Sequence, residues 1–373
     1  MRTSILSQPT SPKDHFYWLD SVRFLAAFMV VATHARGGNW VDWGELPAAS
    51  RNDVVAFFFF MTRTGTEWVT VFFVLSGFLV GGKLIERVRQ GTFRPLEYML
   101  DRATRIWIPL IPALLWSAYV ASLVGLPYTW TDWLGNALGL QLTACATFVD
   151  NIPLWSLAFE MWFYILGGAL AAMLVTRTSG SRLLAYLTLI AAFIVFTLLK
   201  PALLFCWILG AIAYDFRGLK EIRLFPWLAC ALIVLGYVVS ELRSETVSID
   251  TTYFQTYLPC KEVALLILSL GLSLLFPWLI SIRPASSVAL GAERLGRRLA
   301  TFSYTLYLTH YPVLALWDKY RGYRAPGINL SSLLVYGVKI ASCLAVAIFF
   351  YWLFESRTAV VRRELRRRLI PGG

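Results

Sequence analysis

Charge is scarce in this chain. Asp, Glu, Lys and Arg make up 15% of its 373 residues, against 58% hydrophobic residues and a mean hydropathy of +0.62. That balance excludes a soluble globular domain of this size and leaves a polytopic membrane protein. Histidine is nearly absent, with three residues, and cysteine is sparse, with five. Cys145, Cys206, Cys230, Cys260 and Cys343 show no metal-ligand spacing, so no metal site is expected. Three of these cysteines fall in apolar segments as small core residues. Cys145 and Cys260 fall in expected outer segments, where a disulfide is an open reading. No GxSxG nucleophile elbow occurs. The polar start "MRTSILSQPTSPKDHFYWLD" lacks the apolar core of a cleavable signal, so the first span is expected to direct insertion.

Long apolar runs are what the chain has instead. Hydropathy marks ten segments, starting near Val22, Val69, Ile106, Pro153, Leu183, Ala202, Leu224, Pro259, Leu299 and Leu330. The expected fold is therefore an all-α transmembrane bundle of about ten spans. With the N-terminus inside, the inner segments carry 23 of the 34 Lys and Arg and the outer loops nine, which favours both termini in the cytoplasm. Residues 1–18 then form an inner segment, 19–356 the transmembrane domain and 357–373 a basic inner tail. The net charge of +12 is explained by anionic membrane lipid at this basic rim and calls for no nucleic acid. Ala202 to Tyr214 is short for a crossing, at roughly 20 Å. Because both flanks look cytoplasmic, a tight hairpin is expected at Lys200. "VVAFFFFM", Val54 to Met61, is too short to span and reads as an outer interfacial segment.

Two polar residues interrupt the first span. In "LDSVRFLAAFMVVATHARGG", Arg23 and His34 are eleven positions apart, a rotation ending roughly 20° past three full turns, so they share one helix face about 16 Å apart along the axis. Arg23 could merely snorkel to the interface and His34 could merely hydrogen-bond a neighbouring helix. Neither reading explains their common face. Asp20, one turn before Arg23, is placed to fix that arginine's orientation. In "NIPLWSLAFEMWFYI", Ser156, Glu160 and Tyr164 follow i, i+4, i+8 spacing and share a face. That helix enters from the outside, so Glu160 is expected in the outer half at a depth comparable with His34, to orient or tune the imidazole. A structural hydrogen bond is the other reading of Glu160, and Trp155 serves equally as a belt anchor or a sugar-stacking platform. Arg102 and Arg105 in "DRATR" lie one turn apart just before the third span, where a cytoplasmic arginine pair commonly serves only as a positive-inside signal. Ser76, Gly77, Gly81 and Gly82 in "VLSGFLVGG" suit close helix approach. In "FSYTLYLTHYPV", Ser303, Tyr307 and His310 fall near one face, and His310 is the rival to His34 as a base. Glu355, beside Arg357, reads as structural.

These stretches resemble one family. "LDSVRFLAAFMVVATH" is similar to the first-helix signature, arginine, ten residues, histidine, of the acyltransferase 3 family of integral membrane O-acyltransferases. The resemblance continues through "TEWVTVFFVLSGFLVGGKLIER", "DRATRIWIP", "NIPLWSLAFEMWFYI" and "FSYTLYLTHYPV" to "FESRTAVVRR", in the family's order over nearly the whole chain. It implies a ten-helix domain that takes an acyl group, often acetyl, from cytoplasmic acyl-CoA to a hydroxyl of an extracytoplasmic or lipid-linked glycan. The standalone form is expected, without an appended hydrolase domain, in a bacterial inner membrane. Under this resemblance Arg102 and Arg105 match the family's RxxR pattern, and with Arg23 they would meet the phosphates of coenzyme A.

The chemistry agrees with that reading. Moving an acyl group from a thioester to a sugar hydroxyl requires a base for a weakly acidic alcohol. A neutral imidazole, with an unperturbed pKa of about 6.5, suits the task. His34 is the candidate base, with Arg23 and Glu160 as its catalytic companions. Two other classes stay open. A secondary transporter would show internal repeats, and none is convincing here. A polyprenyl-phosphate-dependent glycosyltransferase would show an acidic outer motif, whereas Asp42, Asp53, Asp132 and Asp150 are scattered.

Overall fold

The computed structural model describes residues 16, 18–218, 226–243 and 260–370. His15 with most of the 1–18 segment, and nearly all of the tyrosine-bearing outer loop before Pro259, lie outside the described residues. The chain is helical, and its extended pairings among the described residues are two isolated bridges, Trp40 with Ala325 and Gln141 with Cys145. Each of the ten hydropathic segments corresponds to a helix. These are α1 (Leu19–Gly37), α3 (Gly65–Arg89), α4 (Pro95–Val124), α6 (Trp155–Val175), α7 (Ser179–Leu198), α8 (Pro201–Asp215), α9 (Pro226–Leu242), α10 (Lys261–Leu279), α12 (Ser303–Arg321) and α13 (Leu330–Leu353). Short α2 (Asp53–Met61) and α5 (Trp130–Ala137) lie between them, and amphipathic α11 (Ser287–Ala300) and α14 (Thr358–Leu369) complete the chain.

Six stretches are long and apolar enough to cross a membrane unaided, fewer than the ten expected. The shortfall has two causes. Helices α8 and α9 have only 15 and 17 residues. Helices α1 and α12 carry charged residues, Asp20, Arg23 and Arg36 in one and Asp318, Lys319 and Arg321 in the other. The Lys200 hairpin is present, with Leu198 ending α7 and Lys200 capping α8. The "VVAFFFFM" run is α2, whose Val54 and Phe57 are exposed. Cys145 and Cys260 are free thiols.

Polar contacts sort the helix ends into two groups. At one end lie the start of α1, the end of α3, the start of α4, the end of α8, the start of α12 and the end of α13. There Trp18 donates to the Ile282 carbonyl, Arg217 meets Glu86, Arg89 meets Asp215, and Arg105 meets Glu355. At the other end Arg63 pairs with Glu241, Lys261 with Glu67, and Lys200 with Glu262. Lys339 of α13, only 2% exposed, bonds Asp318 at 3.0 Å and the Gly38 carbonyl at 2.7 Å. A lone ammonium in an apolar bundle is costly, so this lysine locks α13 and α12 onto the end of α1. Helices α1 and α13 thus begin and finish, respectively, at the same end of the bundle. The tail helix α14 is docked rather than free, since Arg366 bonds both Asp101 oxygens at 2.8 Å.

Helix α3 touches α8 through backbone. A Cβ on Gly77 would sit 2.0 Å from the Trp207 carbonyl oxygen, and one on Gly210 would sit 2.1 Å from that of Val74. Small residues allow this approach, as the glycine pattern predicts. A π turn at Gly77–Gly81 occurs in α3 at the contact. Gly77→Ala is expected to cost about 1–3 kcal/mol or more, because a carbonyl cannot yield as a side chain can. Gly291→Ala, where nothing lies within 4 Å, is the control. Thermal unfolding in detergent should show a lower midpoint for the first and an unchanged one for the second; equal midpoints would remove the close contact.

Candidate active site

The predicted arginines meet in one cavity of about 310 Å³ enclosed by α1, α3, α4, α6 and α12. Arg23, Arg102 and Arg105 line it together with Glu160, Tyr164, Ser76, Ser303 and Tyr304. Arg23 is oriented by Asp20, whose Oδ1 is 3.0 Å from its Nη1. Arg105 pairs with the buried carboxylate of Glu355, which also accepts from Thr305, and its guanidinium stacks on Tyr304 at 5.1 Å. Arg102 differs from both. Its guanidinium lies 5.4 Å from the Tyr164 ring centroid, its buried Nε has no hydrogen-bond partner, and no carboxylate pairs with it among the described residues. Arg102 is thus the guanidinium of the three without an ion pair among the described residues, in a cavity that also holds the Glu160 carboxylate.

Glu160 belongs to this cavity and not beside His34, which corrects the sequence expectation. It accepts from Tyr164 at 2.5 Å, and Tyr164 in turn lies 3.1 Å from Ser76. No hydrogen bond joins Glu160 to either histidine among the described residues. The reason is where α6 starts: after the turn at Ile152–Leu154 its Ser156 already meets Tyr307, one turn before His310 on α12, and Glu160, a further turn along α6, reaches the arginine cavity. Glu160 is the carboxylate lining the arginine cavity.

A small, mostly apolar pocket of about 30 Å³ adjoins that cavity, lined by Val69, Phe72, Phe73 and Leu157 and bordered by Glu160, Tyr304, Ser156 and Tyr307. Ser156 Oγ is 2.7 Å from the Tyr307 hydroxyl, which also donates to the Pro153 carbonyl at 2.6 Å. Beyond Tyr307 comes His310, ring to ring at 6.0 Å, and then His34, whose Nδ1 is 3.1 Å from His310 Nε2. The two rival histidines are thus neighbours. His34 is half-buried and opens into a second cavity of about 610 Å³ with Thr33, Arg36, Asp42, Tyr311, Asp318, Lys319 and Arg324. Trp155 is not part of this line. It packs against Phe73 and Phe159 and borders a lateral apolar cavity with Ile152 and Leu203.

Residues 16–352 match the acyltransferase domain of one family. The chain belongs to the acyltransferase 3 family. No curated protein and no solved structure matches it. As a member of the acyltransferase 3 family it is a membrane acyltransferase.

Three features escaped the sequence reading. Tyr304 lies inside the quoted "FSYTLY" stretch but was passed over for Ser303. That serine lines the cavity, though its hydroxyl is turned to the Ala300 carbonyl at 2.9 Å. Glu355 was assigned to Arg357, its chain neighbour, while its partners are Arg105 and Thr305. Arg36, two residues after His34, lines the same cavity as that histidine, with its guanidinium 5.0 Å from the Phe59 ring centroid. The arginine pairings separate stability from binding. Arg105→Gln strands the buried Glu355 and is expected to cost about 1–3 kcal/mol of stability, whereas Arg102→Gln should leave the unfolding midpoint nearly unchanged. Paired denaturation curves check this, and equal losses would contradict the pairing.

Proposed function

We propose that this acyltransferase moves an acyl group, acetyl in the simplest case, from cytoplasmic acyl-CoA to a hydroxyl of an extracytoplasmic or lipid-linked glycan, in a bacterial inner membrane. The reading rests on one observation. Arg23 and His34, about 16 Å apart along α1, open into two different cavities, and a small pocket with Tyr304 and Tyr307 extends from the first toward His310 and His34.

The arginine cavity faces the cytoplasm in this reading, in keeping with the basic inner segments. Arg102, which makes no ion pair among the described residues, is suited to the donor's phosphates, with Arg23 and Arg105 beside it. The extended pantetheine arm can span a distance of this order and carry the thioester toward His34. His34 takes the proton from the acceptor hydroxyl as its oxygen bonds the acyl carbon. The carbon–sulfur bond then breaks, and the proton passes from His34 to the departing thiolate. Glu160 and Tyr164 border the donor's route and hold no role in that proton transfer. The outer cavity offers Arg36, Asp42, Lys319 and Arg324 to a saccharide beside His34.

His34→Ala is expected to lower acetyl transfer from labelled acetyl-CoA in membranes by about 10²- to 10⁴-fold at matched expression. Full turnover in that variant would refute the assignment. Arg102→Gln should weaken donor binding most at low salt and less as salt rises, because added salt screens the phosphate contact it removes. Mass spectrometry of surface glycans with and without the gene identifies the acceptor.

A further inference from the structure

The transfer step needs one base, yet the structure supplies two histidines in contact. His310 on α12 is fully buried. Its Nδ1 lies 2.8 Å from the Tyr307 carbonyl oxygen and 3.1 Å from that of Leu306. Carbonyl oxygens only accept, so Nδ1 carries a hydrogen. In a neutral imidazole the other nitrogen is then a bare acceptor. No carboxylate contacts either ring among the described residues, so nothing there favours a second proton on the buried ring. The bare Nε2 of His310 faces Nδ1 of His34 at 3.1 Å. Two lone pairs would repel at that distance, so His34 Nδ1 must be the donor. By the same rule, Nε2 of neutral His34 is bare. The Val30 carbonyl, one turn back on α1, also accepts from the His34 ring and adds to the preference for hydrogen on Nδ1, the nitrogen nearer the backbone, while the side chain lines the outer cavity.

We infer that His310 is a positioning residue that fixes the tautomer of His34, holding its hydrogen on Nδ1 and leaving Nε2 bare toward the outer cavity. The geometry is restrained on more than one side. The two rings stack at 5.3 Å with 25° between their planes, and Tyr311 stands edge-on to His34 at 5.4 Å. The catalytic meaning rests on His34 acting as the base. Only the form with bare Nε2 can accept a proton from a hydroxyl in that cavity. After accepting it, His34 still donates through Nδ1 to His310, which need not change its own protonation. A neutral partner orients the base as a carboxylate would, but adds no negative charge to hold the proton back from the leaving group.

Three histidines in the whole chain make the test direct. The full-length protein, labelled with ¹⁵N-histidine in detergent micelles, gives ring-nitrogen shifts that separate bare nitrogen from N–H; His15→Asn assigns His15 by loss of its signals. The expected wild-type result is His34 with hydrogen on Nδ1 and a bare Nε2. His310→Gln, whose amide oxygen can accept at the same position, should keep that signature. His310→Phe should release His34 to the Nε2–H form. Acetyl transfer should fall on the order of 10²-fold in His310→Phe and recover most of that loss in His310→Gln. A wild-type His34 with hydrogen on Nε2 overturns the inference, and so does an unchanged tautomer in His310→Phe. If His310→Phe does not fold, the wild-type and His310→Gln spectra decide alone. Intact tautomers with undiminished transfer in His34→Ala would refute His34 as base while leaving the positioning role standing.

Discussion

The carboxylate of Glu355 is the contact on which the arginine cavity depends. Three guanidinium groups line a space of about 310 Å³ in a mostly apolar bundle, an arrangement that self-repulsion and desolvation both oppose. Asp20 answers Arg23 from within α1, one turn away. Glu355 answers Arg105 from the far end of α13, and by also accepting from Thr305 it ties α4, α12 and α13 at one point. Arg102 makes no ion pair among the described residues, and Glu160 is the carboxylate in the cavity lining beside it. Glu355 therefore both joins the helices and sets, with Asp20 and Glu160, the balance of charge in the cavity.

Much of this was readable from the chain alone because it depends on local spacing. Helical class, the ten segments, the Lys200 hairpin and the glycine contact of α3 follow from periodicity and composition. Asp20 with Arg23, and Ser156 with Glu160 and Tyr164, follow from positions one turn apart. What was not readable depends on pairs far apart in sequence. His34 and His310 are separated by 276 positions, and Arg105 and Glu355 by 250. No periodicity within one helix encodes which helix becomes its neighbour. Glu160 is the instructive case. Entry from the outer side matched it in depth to the histidine, but the point at which α6 begins is set by packing with α12 that the local sequence does not encode.

The two cavities also differ in how they treat charge. Around Arg23 the counter-charges come from helix ends brought together by packing, and Arg102 stands without an ion pair among the described residues. Around His34 the charged side chains of Arg36, Asp42, Asp318, Lys319 and Arg324 line the cavity, while the imidazoles contact backbone carbonyls, each other, Tyr307 and Tyr311. In the proposed function, charge recognition and proton transfer fall to opposite ends of α1, with Tyr304, Tyr307 and Ser156 between them.

The glycine contact between α3 and α8 bears on how a substrate could enter such a structure. Where side chains separate two helices, rotamer changes let them slide; where backbone meets backbone, there is no compliant layer. Gly77 and Gly210 therefore make α3 and α8 a single stiff stave forming one wall of the arginine cavity. The opposite wall, with α12 and α4, is held by side chains and ion pairs that can lengthen and reform. Backbone contact thus stiffens the α3 side of the arginine cavity, whereas its α4 and α12 side rests on side-chain ion pairs and hydrogen bonds.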